Sequence, residues 1–407
     1  GDLVFPNQFI DFTKQRKMSF YDVRNSDLSL AIQNAISDHP EISYTDIQRF
    51  LENEVVHTAM AEPYDKKIRE ATKMGKNAVL VTGGAGFIGA HVTNEAIRLG
   101  MAVVVLDDLS GGFIENVNNQ ATFIKGSIND VELVTKLFEK YRFKYVYHLA
   151  AYAAEGLSHF IKRFNYENNL IGSVNLINAS VNYDVQCFVF TSSIAVYGKN
   201  QLPMREDMVP TPEDSYGIAK YAVEMELKAS HELFGLNYVI FRPHNVYGEY
   251  QNIGDKYRNV IGIFINQIMQ NRPLSIFGDG TQSRAFSYIG DVAPIIACAP
   301  SVPEAYGQVF NVGADKAYTV NELAEEVCKI MGASSNIKHY PERNEVKHAF
   351  SDHSKLEKYF DSKSEYGLHE GLERMISWAI KVGSKKSKDF ENIEITKGLP
   401  VAWIKPE

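Results

Sequence analysis

Residues 77–90, NAVLVTGGAGFIGA, leave few folds open to this chain. A short apolar strand, 78–81, runs into glycines at Gly83, Gly86 and Gly89 and then into the opening of a helix. The G-x-x-G-x-x-G spacing differs slightly from G-x-G-x-x-G but meets the same need. That need is a tight turn, backbone N–H groups that can face a pyrophosphate, and close helix–strand packing. By itself such a loop is equally an ordinary glycine turn. Here a second apolar strand, 101–106, ends in Asp107, about twenty residues past the loop, where a carboxylate can hold the adenosine ribose hydroxyls. A carboxylate there repels a 2′-phosphate, so NAD is expected rather than NADP.

From position 77 the pattern alternates strand and helix. Candidate strands are 78–81, 102–106, 121–124, 145–149, 186–191 and 238–242, with long helical patterns at 170–181 and 216–234 between them. Nearly continuous apolar strands alternating with helices imply a doubly wound parallel sheet covered on both faces, with ligands at the carboxyl ends of its strands. After about Gly248 the alternation breaks into short mixed elements, as expected of a smaller lobe. The expected organisation is an N-terminal helical extension (1–75), a dinucleotide domain (76–247), a substrate lobe with some segments returning to the sheet (248–383), and a tail (384–407) docked by 401–404. Within the extension, 27–37 and 45–60 have amphipathic helical spacing behind capping residues.

The hydrophobic content of 45% supplies a sizeable core, and a net charge of −8 gives no general attraction to nucleic acid or anionic membrane. No apolar run approaches a membrane span. Cys187, Cys298 and Cys328 show neither metal nor disulfide spacing, and no metal site is expected. The N-terminal residues resemble neither a secretory signal nor a transit peptide, so a reducing cytoplasm is the expected location.

Two stretches carry the chemistry. FTSSIAVYG (190–198) closes the fifth strand, and DSYGIAK (214–220) opens a helix. Tyr216 and Lys220 are i and i+4 and so share one helical face. A phenol is a poor base at neutral pH; a neighbouring ammonium and the positive nicotinamide of NAD⁺ both stabilise phenolate. Ser193 can hydrogen-bond the same substrate oxygen.

With these motifs in this order, residues 77–383 resemble an extended short-chain dehydrogenase/reductase of the nucleotide-sugar epimerase/dehydratase branch, closest to UDP-glucose 4-epimerase-like enzymes. The resemblance implies a Rossmann-type domain and a smaller substrate lobe. It assigns Ser193, Tyr216 and Lys220 as the catalytic set, with Tyr216 and Lys220 also touching NAD. It gives Gly83, Gly86, Phe87, Ile88, Gly89 and Asp107 to the cofactor, together with Ser127 and Ile128 of GSIND. Ala150 and Ala151 of HLAA become the cofactor wall, and Asn169 of YENNLIGS joins the active-site scaffold. On the substrate side it implies Asn245, Asn259 and Arg284 at the diphosphate and Ser275 and Phe277 at the uracil. Ser127 departs from the family's usual acid near adenine. Arg284 and Arg343 are both candidates for bidentate recognition of the substrate diphosphate, Arg343 standing in a segment one residue shorter than the family's Arg-x-Gly-Asp. The helices at 170–181 and 216–234 correspond to the family's dimer interface, so a homodimer is expected.

The dehydratases of this branch need an Asp-Glu pair after the serine, the decarboxylases a Glu, and the 3,5-epimerases a Cys at position 195. This chain has Ile194 and Ala195. What remains is hydride transfer with one acid/base, which is 4-epimerisation of a nucleotide-linked hexose. The alternatives are a 4-reductase or dehydrogenase that releases its cofactor, and a nucleotide-sensing regulator. Ala349 lies where related 4-epimerases gate the 2-substituent, so N-acetylhexosamines are expected to fit. Glu155 is expected near the far end of the sugar, where its charge disfavours a uronic acid.

Overall fold

The structure is a computed structural model that describes residues 78–199, 202–342, 347–362, 364–386, 390–400 and 403. The helical patterns at 27–37 and 45–60, Arg343, and positions 401, 402 and 404 of the tail lie outside the described residues.

Six strands fall where the apolar runs place them: β1 Ala78–Thr82, β2 Ala102–Asp107, β3 Thr122–Lys125, β4 Tyr145–His148, β5 Cys187–Thr191 and β6 Tyr238–Pro243. A further strand, β7 Gln308–Val312, returns from the C-terminal half. Among the described residues these seven form one parallel sheet in the order β7-β6-β5-β4-β1-β2-β3. All five residues of β1 and of β5 are buried, because helices cover both faces of a parallel sheet. Each buried Val, Leu or Phe contributes about 1.5–3 kcal/mol relative to exposure. The order in which strands are added to the sheet reverses between β1 and β4, and the crevice outside their carboxyl ends is the natural place for a ligand.

Two helices differ informatively from their sequence patterns. The pattern at 170–181 is the end of a longer helical run: Lys162–Tyr166, a π-turn over Glu167–Ile171, then Gly172–Asn182. The widened turn puts Asn169 on the inner face, a placement that apolar periodicity does not encode. Helix Ser215–Phe234 starts at Asp214, whose carboxylate accepts from the Gly217 N–H at 2.9 Å, and stops at Gly235 with φ +76°.

Past β6, Leu274–Phe277 pairs with Ile337–Tyr340, and Ser283–Ala285 lies between Ala317–Thr319 and His348–Ala349. Register sets Tyr340 opposite Phe277 and Ala349 opposite Arg284. Among the described residues no helix is long and apolar enough to cross a membrane.

Candidate active site

The glycine loop turns at Gly83, whose φ is +71° and whose N–H donates to the Leu106 carbonyl at 2.9 Å. A Cβ at Gly83 would lie 2.7 Å from the Ala150 nitrogen, and one at Gly89 would lie 2.1 Å from the Gly83 carbonyl oxygen. Both glycines are therefore required by close backbone approach. Helix Phe87–Arg98 follows directly, with Gly86 at its N-cap and no capping side chain. Its N-terminal dipole faces the cleft, a suitable seat for a pyrophosphate. Asp107, at the end of β2, accepts from the Ala85 N–H at 3.0 Å and the Leu109 N–H at 2.8 Å. Burial raises its pKa above the usual carboxylate value, and these two donors pull against that.

The loop, Phe87, Ile88, Asp107, Ser127, Ile128, Ala150 and Ala151 all line one cavity of about 550 Å³. Asn169 lies behind its wall. The Asn169 carboxamide accepts from the Tyr152 N–H at 2.8 Å and donates to the Tyr152 carbonyl at 3.0 Å, holding the loop that follows β4. Its neighbour Asn168 is the residue that reaches the cavity. A cradle that side chains would fill and a carboxylate at the end of β2 fit a dinucleotide.

Ser193, Tyr216 and Lys220 meet at the same cavity. Ser193 caps the short helix Ile194–Tyr197, accepting from the Ala195 N–H at 3.1 Å. Lys220 is fully enclosed; its ammonium donates to the Thr191 carbonyl at 2.8 Å and lies 5.7 Å from the centre of the Tyr216 ring. Burial pushes its pKa down to about 7, against a raising influence from Glu224. The expectation that Lys220 lowers the Tyr216 pKa is not met within the chain by itself. Burial, then the charge of Glu155, pushes the phenol upward, and its hydrogen bond with Ser193 only partly offsets them. Desolvation of the buried ring is the largest influence on the phenol.

A second cavity of about 240 Å³ takes in Ser275 and Phe277. Asn245, Asn259 and Arg284 line both cavities, which therefore adjoin. Asn245 and Asn259 have φ of +41° and +63°, a backbone that asparagine tolerates better than most residues. The Arg284 guanidinium donates to the Ser283 and Lys347 carbonyls at 2.9 Å. Ser275 is held by Gln267, with its hydroxyl 2.8 Å from the amide nitrogen. Glu155 is exposed at the cavity mouth and Ala349 is buried beside it.

Sequence reasoning missed several participants. His148 bridges Thr82 and Ser173 at 2.8 and 2.7 Å, and the Ser173 hydroxyl donates to the Asn169 carbonyl at 2.8 Å. That chain assigns Nε2–H to His148, while burial keeps the ring neutral. Thr82 in turn accepts from the Leu149 and Ala150 N–H groups, fixing the wall that faces Gly83. The only hint in the sequence is that β1 and β4 each close on a polar residue, Thr82 and His148. Tyr340 stacks on Phe277 with ring centres 5.3 Å apart, and Arg258 sits over Tyr152 at 4.6 Å. Glu224 and Arg242 form a buried ion pair beneath Ser192. Nothing in the sequence pairs these residues.

The model of the family described as "NAD dependent epimerase/dehydratase family" matches residues 79–313. A putative UDP-glucose 4-epimerase of Methanocaldococcus jannaschii is 36% identical over 306 residues, covering 74% of this chain and 97% of the relative. Among solved structures, the UDP-glucose 4-epimerase of Thermotoga maritima with UDP-glucose is 35% identical with a TM-score of 0.72, covering 75% of this chain and 99% of that one. The UDP-N-acetylglucosamine 4-epimerase of Methanobrevibacter ruminantium, in complex with UDP-N-acetylmuramic acid, is 33% identical with a TM-score of 0.70, covering 75% and 99%.

Proposed function

The chain belongs to the NAD dependent epimerase/dehydratase family, and we propose that it inverts C4 of a UDP-linked hexose, with NAD held throughout turnover. One observation carries this reading. Ser193 and Tyr216 converge in a cleft whose adjoining positions are Ile194 and Ala195, neither able to move a proton. Elimination and decarboxylation need a further acid or base there, and inversion by oxidation and reduction does not.

Gly83, Gly86, Gly89 and Asp107 would hold NAD, with Ala150, Ala151 and Lys220 beside it. When bound, NAD supplies the acceptor and donor of the C4 hydride and a positive charge close to the phenol. Tyr216 takes the C4 hydroxyl proton and returns it, while Ser193 hydrogen-bonds the same oxygen. Asn245, Asn259 and Arg284 bind the diphosphate, the guanidinium as the principal cation. Ser275 and Phe277 take the uracil, with Tyr340 stacked behind. The small side chains of Ala195 and Ala349 leave room for the keto sugar to turn over. The test is purified protein incubated with UDP-, GDP- and dTDP-hexoses and the products resolved by NMR. Interconversion of C4 epimers without net NADH is the expected result. NADH absorbance growing with turnover would replace the epimerase by a reductase or dehydrogenase.

Ala349 supports acceptance of 2-acetamido sugars. Substituting Tyr for Ala349 is expected to cut kcat/KM for the N-acetylated substrate by about 100-fold or more, and for the unsubstituted hexose by less than about threefold. Equal losses on both substrates would refute that role. Glu155 at the mouth supports discrimination against uronic acids.

Assembly as a homodimer is supported by Ile171, Ile218 and Met225, exposed by 51%, 43% and 57% on adjoining helical segments. Met225→Arg is expected to give a monomer in light scattering with NAD retained, and an unchanged mass would exclude this face. Cys187, Cys298 and Cys328 are all unpaired, which supports a reducing compartment such as the cytoplasm.

A further inference from the structure

A buried pair of imidazoles stands behind the residues assigned to the diphosphate. His244 follows β6 directly and lines the larger cavity, and its ring stacks on that of His353 with centres 5.1 Å apart. Both residues are buried, and their Nε2 atoms lie 2.9 Å apart. On the far side of the pair, His353 Nδ1 lies 2.6 Å from a carboxylate oxygen of Asp315, whose side chain is 72% exposed just past β7. On the near side, His244 Nδ1 lies 3.1 Å from the Ala285 carbonyl. That carbonyl also accepts from the Asn245 amide at 3.3 Å, and Ala285 follows Arg284 in the chain. A Cβ at Gly313 would stand 2.5 Å from His244 Nε2, so the close approach of this turn requires glycine.

The partners fix the hydrogens along this row. A carbonyl only accepts, so His244 Nδ1 carries a hydrogen. Burial, then the charge of His353, pushes the His244 pKa down to about 3, so its ring is neutral and its Nε2 accepts. His353 Nε2 is therefore the donor between the rings. The hydrogen bond with His353 holds the Asp315 carboxyl below its usual range, so it is ionised and also only accepts. His353 thus carries hydrogens on both nitrogens, an imidazolium between a carboxylate and a neutral imidazole. Asp352, its neighbour in the chain, is a second carboxylate that feels this charge, and Ser351 Oγ lies 3.4 Å from His353 Nε2.

We propose that Asp315, His353 and His244 form a proton-dependent relay that positions the diphosphate site, fixing the Ala285 carbonyl and through it Arg284 and Asn245. The inference rests on reading the cleft as a nucleotide-sugar site. A neutral His353 has one hydrogen for two acceptors. If it keeps the bond to His244, a bare nitrogen faces the Asp315 carboxylate. If it keeps the bond to Asp315, two bare nitrogens face each other. One link opens in either case, and the anchor on Ala285 loosens. The relay is therefore complete at lower pH and lost as pH rises past the release of the His353 proton. All three act through Arg284 and Asn245, which makes them positioning residues.

The test measures UDP-glucose binding by calorimetry to the full chain with its bound NAD, at about pH 6 and about pH 8.5, spanning the range in which imidazoles titrate. Tyr216→Phe is the background, because it removes turnover and the titrating phenol. Affinity in this parent is expected to fall about tenfold from the lower to the higher pH, the worth of one charge-assisted hydrogen bond. Asp315→Asn should flatten the profile to within about twofold, since an amide N–H can donate to the bare Nδ1 of a neutral His353 and complete the row without the extra proton. His353→Phe should bind at both pH values as weakly as the parent does at the higher one, with NAD content unchanged. A flat parent profile overturns the proposal, as does an Asp315→Asn profile as steep as the parent's or tight binding by His353→Phe at both pH values. Should His353→Phe not fold, the Asp315→Asn comparison decides alone, because an amide keeps the shape of that exposed side chain. Failure of the parent to bind UDP-glucose at either pH strikes the functional reading, and is distinct from all of these.

Discussion

Replacing Tyr216 with Phe is expected to lower kcat on the preferred nucleotide hexose by about 10³-fold, with KM within about threefold and bound NAD unchanged. The substitution removes one oxygen and keeps the ring, which is 6% exposed and packed on all sides, so the helix and the cleft persist. The lost oxygen is the only phenol in the cavity hydrogen-bonded to Ser193 among the described residues. Ser193→Ala should cost less, about 10–100-fold, because a serine shares the substrate oxygen without itself being the base. The pH dependence follows from the upward shift of the phenol. The base must be deprotonated, so the wild-type rate rises with pH through the neutral range, and the residual rate of Tyr216→Phe loses that limb. A variant retaining more than a tenth of wild-type kcat would remove Tyr216 from the mechanism.

Gly89→Val should leave protein without NAD and less stable by about 3 kcal/mol, because the new Cβ has nowhere to go. It would stand 2.1 Å from the Gly83 carbonyl oxygen and 2.7 Å from the Gly83 carbonyl carbon, both backbone atoms of the turn. Relief requires lifting the helix off the loop, which opens the seat for the pyrophosphate. Gly86→Ala is the control, since its nearest atom is the same oxygen at 3.1 Å. That control is expected to fold with a Tm only a few degrees lower. NAD released on denaturation and thermal unfolding measure both effects. Full NAD content in Gly89→Val would mean that helix and loop do not pack as described.

The glycine loop, the strand ending at Asp107 and the pairing of Tyr216 with Lys220 were legible because each is local. A turn, a strand period and an i, i+4 spacing are set within a few residues. The apolar runs further implied a parallel sheet, and a parallel sheet collects its ligands at one edge. Gly83, Asp107, Ser193 and Tyr216 could therefore be assigned to one cleft before any distance was known, and Ala150 came with the family resemblance. The family resemblance added Asn245, Asn259 and Arg284, which line that cleft and its neighbour.

Other features needed the folded chain. QVFNV at 308–312 is short and follows mixed elements, and only pairing with β6 makes it the seventh strand. The inward turn of Asn169 depends on a π-turn that has no periodic signature. Trp403 and Gly156 meet although they lie far apart in the sequence, and the hydrogen bond from Phe390 to Tyr257 spans 133 positions. Protonation is the last of these. The sequence pairs Tyr216 with Lys220, but burial decides that the phenol moves up and the ammonium down. Sequence by itself determined which backbone turns and which reactive side chains exist, because those follow from short-range sterics and spacing. The tertiary structure alone decided which distant segments wall the cleft and how its groups hold their protons, because desolvation and long-range packing arise only once the chain has closed on itself.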